Sequence, residues 1–235
     1  MSDIPFFLIS SLALGYCIGT IPFGLIIVAL TRRKNICKLG NKRPGAANVF
    51  REIDPVTGVI SGIFDTAKGA GTMVLLTYVL AFPEYTLLTG AIGALLGHNW
   101  PFILKFRGGE GVSITMGIYV LYAPGILGLM VALYLCFLSL WALKIKPFYL
   151  YHCFNWQAVF LCAPLLVYLC GKGWILSVWD ISFDAFFLIS VSLGLAGLLK
   201  QIQLYGVGFI LKPSNFNNKY VNPEKKRLDK EGTEG

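Results

Sequence analysis

Long apolar runs are the feature that most constrains this chain, because each is about as long as a bilayer requires. The first three cover about 4–30, 56–82 and 85–104, and about twenty apolar residues suffice for a helix to cross the hydrocarbon core. The chain is 56% hydrophobic and only 14% charged, which excludes a soluble domain. The sequence predicts an all-α, polytopic membrane helix bundle.

The second half of the chain continues this pattern. The run after Gly111 is too long for one crossing, and Pro124 divides it because proline interrupts a helix. The further segments expected are 112–123, 124–143, 153–170 and 181–199, the first of them too short to cross straight. We therefore expect about seven transmembrane helices within residues 1–200, followed by a flexible, basic cytoplasmic tail over 201–235.

Charge predicts which side of the membrane each loop occupies. The loop over 31–54 contains seven basic residues against two acidic ones, an excess typical of cytoplasmic loops. Seven crossings from an outside N-terminus also place the basic tail inside, whereas six would place it outside. Anionic lipid and topology explain the net charge of +8, so no nucleic acid partner is expected.

Cysteine spacing gives no sign of a metal site. The six cysteines include no CxxC pair and no cluster with histidine at ligand spacing, so they predict neither a disulfide framework nor a metal centre. In a membrane core a free cysteine usually packs as a small hydrophobic residue. The sequence indicates no cofactor.

Polar chemistry concentrates where the third apolar run ends. Gly108, Gly109 and Gly111 allow the backbone to approach a ligand closely, and Lys105 and Arg107 add positive charge. Successive N–H groups in such a loop can converge on an anion, so the segment is a candidate phosphate site. The alternative is a glycine-rich turn at the membrane face, with basic residues that only follow the topology rule.

Two charged residues lie inside the second apolar run. Asp65 and Lys68 are three positions apart, which places them on one face of a helix. Charge in a membrane helix is costly unless it is paired and turned inward, so the pair is either a structural ion pair or part of a functional site. Asp65 and Lys68 lie toward the cytoplasmic end of this run. Three crossings from an outside N-terminus bring that end to the same side as the two basic, glycine-bearing loops.

The first loop carries a further candidate segment. Pro44 and Gly45 form a turn that leads into a short amphipathic piece with Asn48 and Arg51. Two interpretations remain open. Either these side chains contact a ligand, or Asn48 caps a helix and Arg51 lies at the lipid surface.

Four segments together resemble one known family. They are GTIPFG at 19–24, PGAANVFR at 44–51, DTAKG at 65–69 and GHNWPFILKFRGGEGV at 97–112. In this order and spacing they resemble the bacterial acyl-phosphate:glycerol-3-phosphate acyltransferases of the PlsY type, as a divergent member. Four weak motifs in register are more specific than any one of them.

The resemblance implies a fold, an activity and a location. Such enzymes are seven-helix proteins of the bacterial inner membrane with a cytoplasmic active site. They move an acyl group from acyl phosphate to glycerol 3-phosphate, giving lysophosphatidic acid and phosphate in phospholipid synthesis. The implied partners are these two substrates and the lipid bilayer, with no cofactor.

The resemblance also implies roles for individual residues. Asp65 and Lys68 would order the site, and His98 would contact the glycerol phosphate, so these three form the candidate catalytic group. Alternatively, His98 is a helix-end histidine bonded to the backbone. The implied substrate-binding residues are Asn48, Arg51, Asn99, Lys105, Arg107, Gly108, Gly109, Gly111 and Ser113.

The chain departs from the family pattern at three places. Ala47 stands where the family usually has threonine, Glu110 stands where it usually has lysine, and its closing Asn and Glu have no counterpart in 197–206. The carboxylate at Glu110 should weaken phosphate binding unless Lys42, Arg43 or Lys105 offsets it. These departures leave open a non-catalytic homologue that binds a lipid, phosphate or protein. Charged residues in a polytopic bundle leave open a small transporter as well.

Overall fold

The computed structural model describes residues 3–122, 127–128, 131–132 and 183–205. Within these ranges the regular structure is helical and contains no strand. The main helices are α1 (Ile4–Gly19), α2 (Phe23–Arg32), α3 (Ala46–Glu52), α4 (Pro55–Val74), α5 (Leu87–Asn99), α6 (Val112–Tyr122) and α7 (Phe183–Tyr205). A π-helical turn, Leu75–Val79, continues α4, and short 3₁₀ turns cover Ile36–Lys38, Glu84–Thr86 and Phe102–Leu104.

Three segments of the described chain are long and apolar enough to cross a membrane. They are Ile4–Arg32, Pro55–Val79 and Glu84–Leu104, and they match the first three predicted spans. The predicted polytopic membrane helix bundle is confirmed. Helix α6 matches the predicted short helix, and α7 continues past the predicted end at 199. The spans expected over 124–143 and 153–170, and most of the tail, lie outside the described residues.

The first span is divided at Pro22. Helix α1 ends at Gly19 and α2 begins at Phe23. Proline has no N–H and its ring clashes with the preceding turn, so the helix cannot continue through it. The N–H of Phe23 donates to the carbonyl of Ile21 at 3.2 Å, so it does not make the helical bond to Gly19. The two halves of the span therefore pack as separate helices.

Glycine contacts bring α1 and α5 unusually close. A Cβ added at Gly15 would overlap the backbone of Gly90, and one added at Gly93 would overlap the backbone of Leu12. Small residues at such positions let membrane helices pack backbone to backbone. Since Gly97 likewise meets Tyr16, one turn further along both helices, α1 and α5 run in the same direction. Their C-terminal ends therefore reach the same side of the bundle.

The main apolar core lies between α4, α5, α6 and α7. Its buried members are Met73, Leu76, Leu87, Ala91, Ala94, Leu95, Ile114, Ile118, Tyr119, Ile189 and Leu193. A smaller cluster of Val28, Ile36 and Val49 joins α2 and α3 to the loop between them. The two clusters fix the first loop and the ends of α4 and α5 around one polar region.

Candidate active site

The predicted pair in the second span is a buried ion pair. The Nζ atom of Lys68 lies 3.0 Å from Oδ1 of Asp65, and each side chain is only 3% exposed. Lys68 also donates to the carbonyls of Gly19 and Ile21, at 3.0 and 2.8 Å. The ammonium group has three N–H donors, so these three contacts use all of them. In this conformation Lys68 ties α4 to the bend at Pro22.

His98 joins this pair from α5. Its Nδ1 atom lies 3.7 Å from Oδ1 of Asp65, and the side chain is buried. The imidazole therefore faces Asp65 on the neighbouring helix. The structure brings together the three residues predicted as the catalytic group, with the Asp65 carboxylate between Lys68 and His98.

A small cavity opens beside this group. It is lined by Gly19, Thr20, Ile21, Pro22, Pro44, Asp65, Lys68, His98 and Pro101. These residues come from the bend in the first span, the first loop, α4 and the end of α5. The two loops meet Asp65 and Lys68 as expected, but this pair lies near the middle of the second span, Pro55–Val79, and not near its end. Gly45 and Gly109 also face each other, because a Cβ built on Gly45 would lie 3.7 Å from the Cα of Gly109.

The loop over 105–111 differs from the predicted anion cradle. The N–H groups of Gly108 and Gly109 donate to the carbonyls of Asn99 and His98, at 3.3 and 3.1 Å. A side chain at Gly109 would overlap the His98 ring. These two glycines are therefore needed for close packing against the end of α5, and their N–H groups are already used within the protein. Gly111 has φ +83°, a left-handed conformation that favours glycine.

The Asn99 side chain is a candidate ligand group next to this loop. It is fully buried, and its amide O and N have no hydrogen-bond partner among the described residues. A Cβ added at Gly111 would lie 2.8 Å from Oδ1 of Asn99, so the amide faces the glycine loop. A buried amide without a partner is costly, which makes a polar ligand group a fitting neighbour.

The structure places the Asn48 side chain within the first loop and not at a helix cap. Gly45 is the N-cap of α3, so Asn48 does not cap that helix. The buried Asn48 amide accepts from the N–H of Asn41 at 3.1 Å and donates to the carbonyls of Leu39 and Arg43, at 3.1 and 2.9 Å. In this conformation Asn48 fixes the fold of the first loop, and its polar groups are bonded to that loop.

Several predicted binding residues lie at the edge of the site. Arg51, Lys105 and Arg107 are exposed and do not line the cavity. Lys105 has φ 52° at the end of the 3₁₀ turn Phe102–Leu104. Ser113 lies in the first turn of α6, half-buried and facing Gly62 of α4. The structure thus brings Asp65, Lys68 and His98 together, directs the Asn99 amide toward the glycine loop, and leaves these basic side chains at the surface.

The sequence analysis missed Lys200, which reaches the site from α7. Its ammonium donates to the carbonyl of Asn99 and lies 4.7 Å from the ring centroid of Trp100. Gln203 lies one turn further along α7 and accepts from Nε1 of Trp100 at 2.7 Å. The rule that singled out Asp65 and Lys68 was charge inside an apolar run, and it did not reach Lys200 because the predicted run ended at 199 whereas α7 continues to Tyr205.

Comparison with known proteins decides the family. The family model described as glycerol-3-phosphate acyltransferase matches residues 9–198. The chain belongs to this family. The predicted resemblance is therefore confirmed. A glycerol-3-phosphate acyltransferase of Thermotoga petrophila is 39% identical over 105 residues, which cover 45% of this chain and 53% of that protein. The chain thus spans about half the length of this relative.

Solved structures share the fold of this family member. A crystal structure of PlsY, an integral membrane glycerol 3-phosphate acyltransferase, in its lysophosphatidic acid form has a TM-score of 0.64 at 18% identity. The likeness covers 87% of this chain and 91% of that one. The glycerol 3-phosphate form of PlsY gives a TM-score of 0.62 at 20% identity, covering 88% and 90% of the two chains. The chain has the integral membrane fold of these proteins.

Proposed function

We propose that this chain is a membrane glycerol-3-phosphate acyltransferase that takes its acyl group from acyl phosphate. The observation that carries the proposal is the family match over residues 9–198, which includes both loops and the buried cluster between them. The products would be lysophosphatidic acid and phosphate. The reaction would serve phospholipid synthesis.

The proposed reaction needs no covalent intermediate on the protein. A hydroxyl oxygen of glycerol 3-phosphate would form a bond to the acyl carbon, and the bond from that carbon to the phosphate oxygen would break. Phosphate would leave with the electron pair, and the hydroxyl proton would end on phosphate or solvent. Because the donor is already activated, positioning and charge neutralisation can supply the catalysis.

The geometry supports separate roles around the cavity. Asp65 and Lys68 would hold the site in shape, because the pair is bonded to α1 and faces His98. The Asn99 amide and His98 would contact the glycerol phosphate next to the glycine loop. The exposed Arg51, Lys105 and Arg107 would attract the anionic substrates to the membrane face.

The site would face the cytoplasm of a bacterial inner membrane. The first loop has the basic excess of an inside loop, and seven crossings keep the basic tail on the same side. Cysteine labelling tests this topology. In a cysteine-free variant, Lys34→Cys should be reached by an impermeant thiol reagent only after the cells are opened. Labelling from outside intact cells would contradict the proposed orientation.

An assay of phosphate release tests the activity. Purified protein in detergent or lipid should release phosphate from acyl phosphate only when glycerol 3-phosphate is present. Lys34→Met, on the exposed first loop, should leave the rate unchanged, whereas His98→Ala should lower it strongly. A folded wild-type protein without glycerol 3-phosphate-dependent release would contradict the proposal and favour the non-catalytic homologue.

A further inference from the structure

Lys200 is a buried cation to which the proposed function has given no role. The residue is only 1% exposed and lies near the C-terminal end of α7. Its ammonium binds the carbonyl of Asn99, and the same carbonyl accepts from the N–H of Gly108. Trp100, over whose ring the ammonium lies, follows Asn99 in the chain. Lys200 is thereby linked to the glycine loop through the Asn99 carbonyl that it shares with Gly108.

Other charged groups surround this ammonium. Glu110 lies two residues after Gly108, whose N–H shares the Asn99 carbonyl with Lys200. Arg43 lies two residues before Gly45, which faces Gly109 of the same loop, and both charges act on Lys200. Arg43 and Glu110 together carry no net charge. With Lys200 the group becomes positive, and a positive group on this loop attracts a phosphate.

We propose that Lys200 offsets Glu110 and positions the substrate phosphate at the glycine loop. The inference rests on the proposed function, and it answers the question raised by the carboxylate at Glu110. The sequence offered Lys42, Arg43 and Lys105 as compensating cations. Lys42 and Lys105 are exposed, whereas Lys200 is buried and binds the same Asn99 carbonyl as the N–H of Gly108. A cation in such a water-poor place acts more strongly than one at the surface.

A purely structural role for Lys200 makes a different prediction. If the lysine only satisfied the Asn99 carbonyl, its loss would disturb the loop whatever residue stood at 110. If it offsets Glu110, removing that negative charge should compensate for the loss of Lys200. The two roles are therefore separated by combining changes at both positions.

Binding of glycerol 3-phosphate and of inorganic phosphate to purified full-length protein, measured by calorimetry, tests the inference. Lys200→Met should weaken both about tenfold, while Lys200→Arg, which keeps the charge, should bind nearly as wild type. Adding Glu110→Gln to Lys200→Met should restore most of the lost affinity. Lys34→Met removes the same charge from the exposed first loop and should change nothing. In the activity assay, Lys200→Met should raise the KM for glycerol 3-phosphate more than it lowers kcat.

The possible results separate the two proposals. Unchanged phosphate affinity in Lys200→Met, or an equal loss with and without Glu110→Gln, would overturn the role of Lys200 in an active enzyme. Lys200-dependent phosphate binding without any release from acyl phosphate would support Lys200 and contradict the catalytic proposal. Should Lys200→Met not fold, Glu110→Gln alone must tighten phosphate binding, and weaker or unchanged binding would overturn the inference. Wild-type protein that binds neither ligand would also overturn it.

Discussion

Two ion pairs lie where α4 meets the first span, and they differ mainly in their surroundings. Arg32 at the end of α2 binds Asp54, the N-cap of α4, at 2.8 Å, with side chains 51% and 25% exposed. Lys68 binds Asp65 within α4 at 3.0 Å and reaches across to the carbonyls at the bend. The Arg32–Asp54 pair, which is in contact with water, therefore has the shorter N–O distance.

The comparison shows that burial, more than distance, decides what such a pair does. Water and salt screen the exposed pair, so its net contribution to stability is small. The buried pair has lost its hydration. Removing one partner therefore leaves the other charge without a counter-charge and without water to solvate it. We therefore expect the inner pair to control the shape of the site and the outer pair to adjust it only slightly.

The largest effect is expected for the buried carboxylate. Asp65→Ala should destabilise the protein by about 3–5 kcal/mol, because it leaves the Lys68 ammonium without its counter-charge. It should also abolish acyl transfer, since His98 loses its neighbour. Asp54→Ala, the matched change in the outer pair, should have a much milder effect. Thermal unfolding in detergent and phosphate release measure both variants, and equal stability and activity of the two would contradict the comparison.

A smaller loss is expected when both buried charges are removed together. Asp65→Asn combined with Lys68→Met should unfold at a higher temperature than either single variant, because no lone charge remains in the apolar core. The double variant should still be less active than wild type, because the Lys68 bonds to Gly19 and Ile21 are lost. A double variant as unstable as the sum of the singles would show that the two charges act independently.

The outer pair should give only a small, salt-dependent change. Arg32→Met should lower the unfolding midpoint by about 1–2 °C at low salt, because an exposed pair is largely screened. The difference from wild type should vanish in about 1 M salt, where the screening length is only about 3 Å. A large shift that salt does not reduce would mean that Arg32 does more than pair with Asp54.

The smallest expected effect is the pH dependence of the stability that Asp54 contributes. The Thr57 backbone N–H, with smaller contributions from the Thr57 hydroxyl and Arg32, holds the pKa of Asp54 below its ordinary value. The resulting stabilisation is present above the unfolded-state pKa of about 4 and is lost as the pH falls through the folded-state pKa. Asp54→Asn keeps a capping oxygen but cannot titrate. The gap in unfolding midpoint between wild type and variant should therefore be constant at neutral pH and shrink below about pH 4. Parallel curves down to pH 3 would contradict this account.

The sequence predicted those parts of the fold that depend on local pattern. Apolar run length predicted the first three spans, and the spacing of Asp65 and Lys68 predicted their pairing. Crossing parity predicted that the two basic loops meet. Each inference uses only neighbouring residues and the constraint that the membrane imposes.

The hydrogen-bond partners of several side chains and loop N–H groups depend on packing between segments that are far apart in the sequence. They could not be predicted from local pattern. Asn48 looked like a cap or a ligand contact, yet its amide bonds to the surrounding loop backbone. Gly108 and Gly109 looked like anion donors, yet their N–H groups bond to the end of α5. Lys200 meets Asn99 across about a hundred residues of chain, a contact that no local spacing encodes.

The break at Pro22 has a consequence for how the protein is made. Because the N–H of Phe23 donates to Ile21, the carbonyl of Gly19 lacks its usual helical donor and takes one from Lys68. During synthesis the first span emerges well before α4, so Lys68 is not yet present to bond that carbonyl. An unbonded carbonyl is costly in lipid. The hydrogen bonds of the bend are thus completed only when the second span packs beside the first, so the cavity wall at the bend depends on the order of assembly.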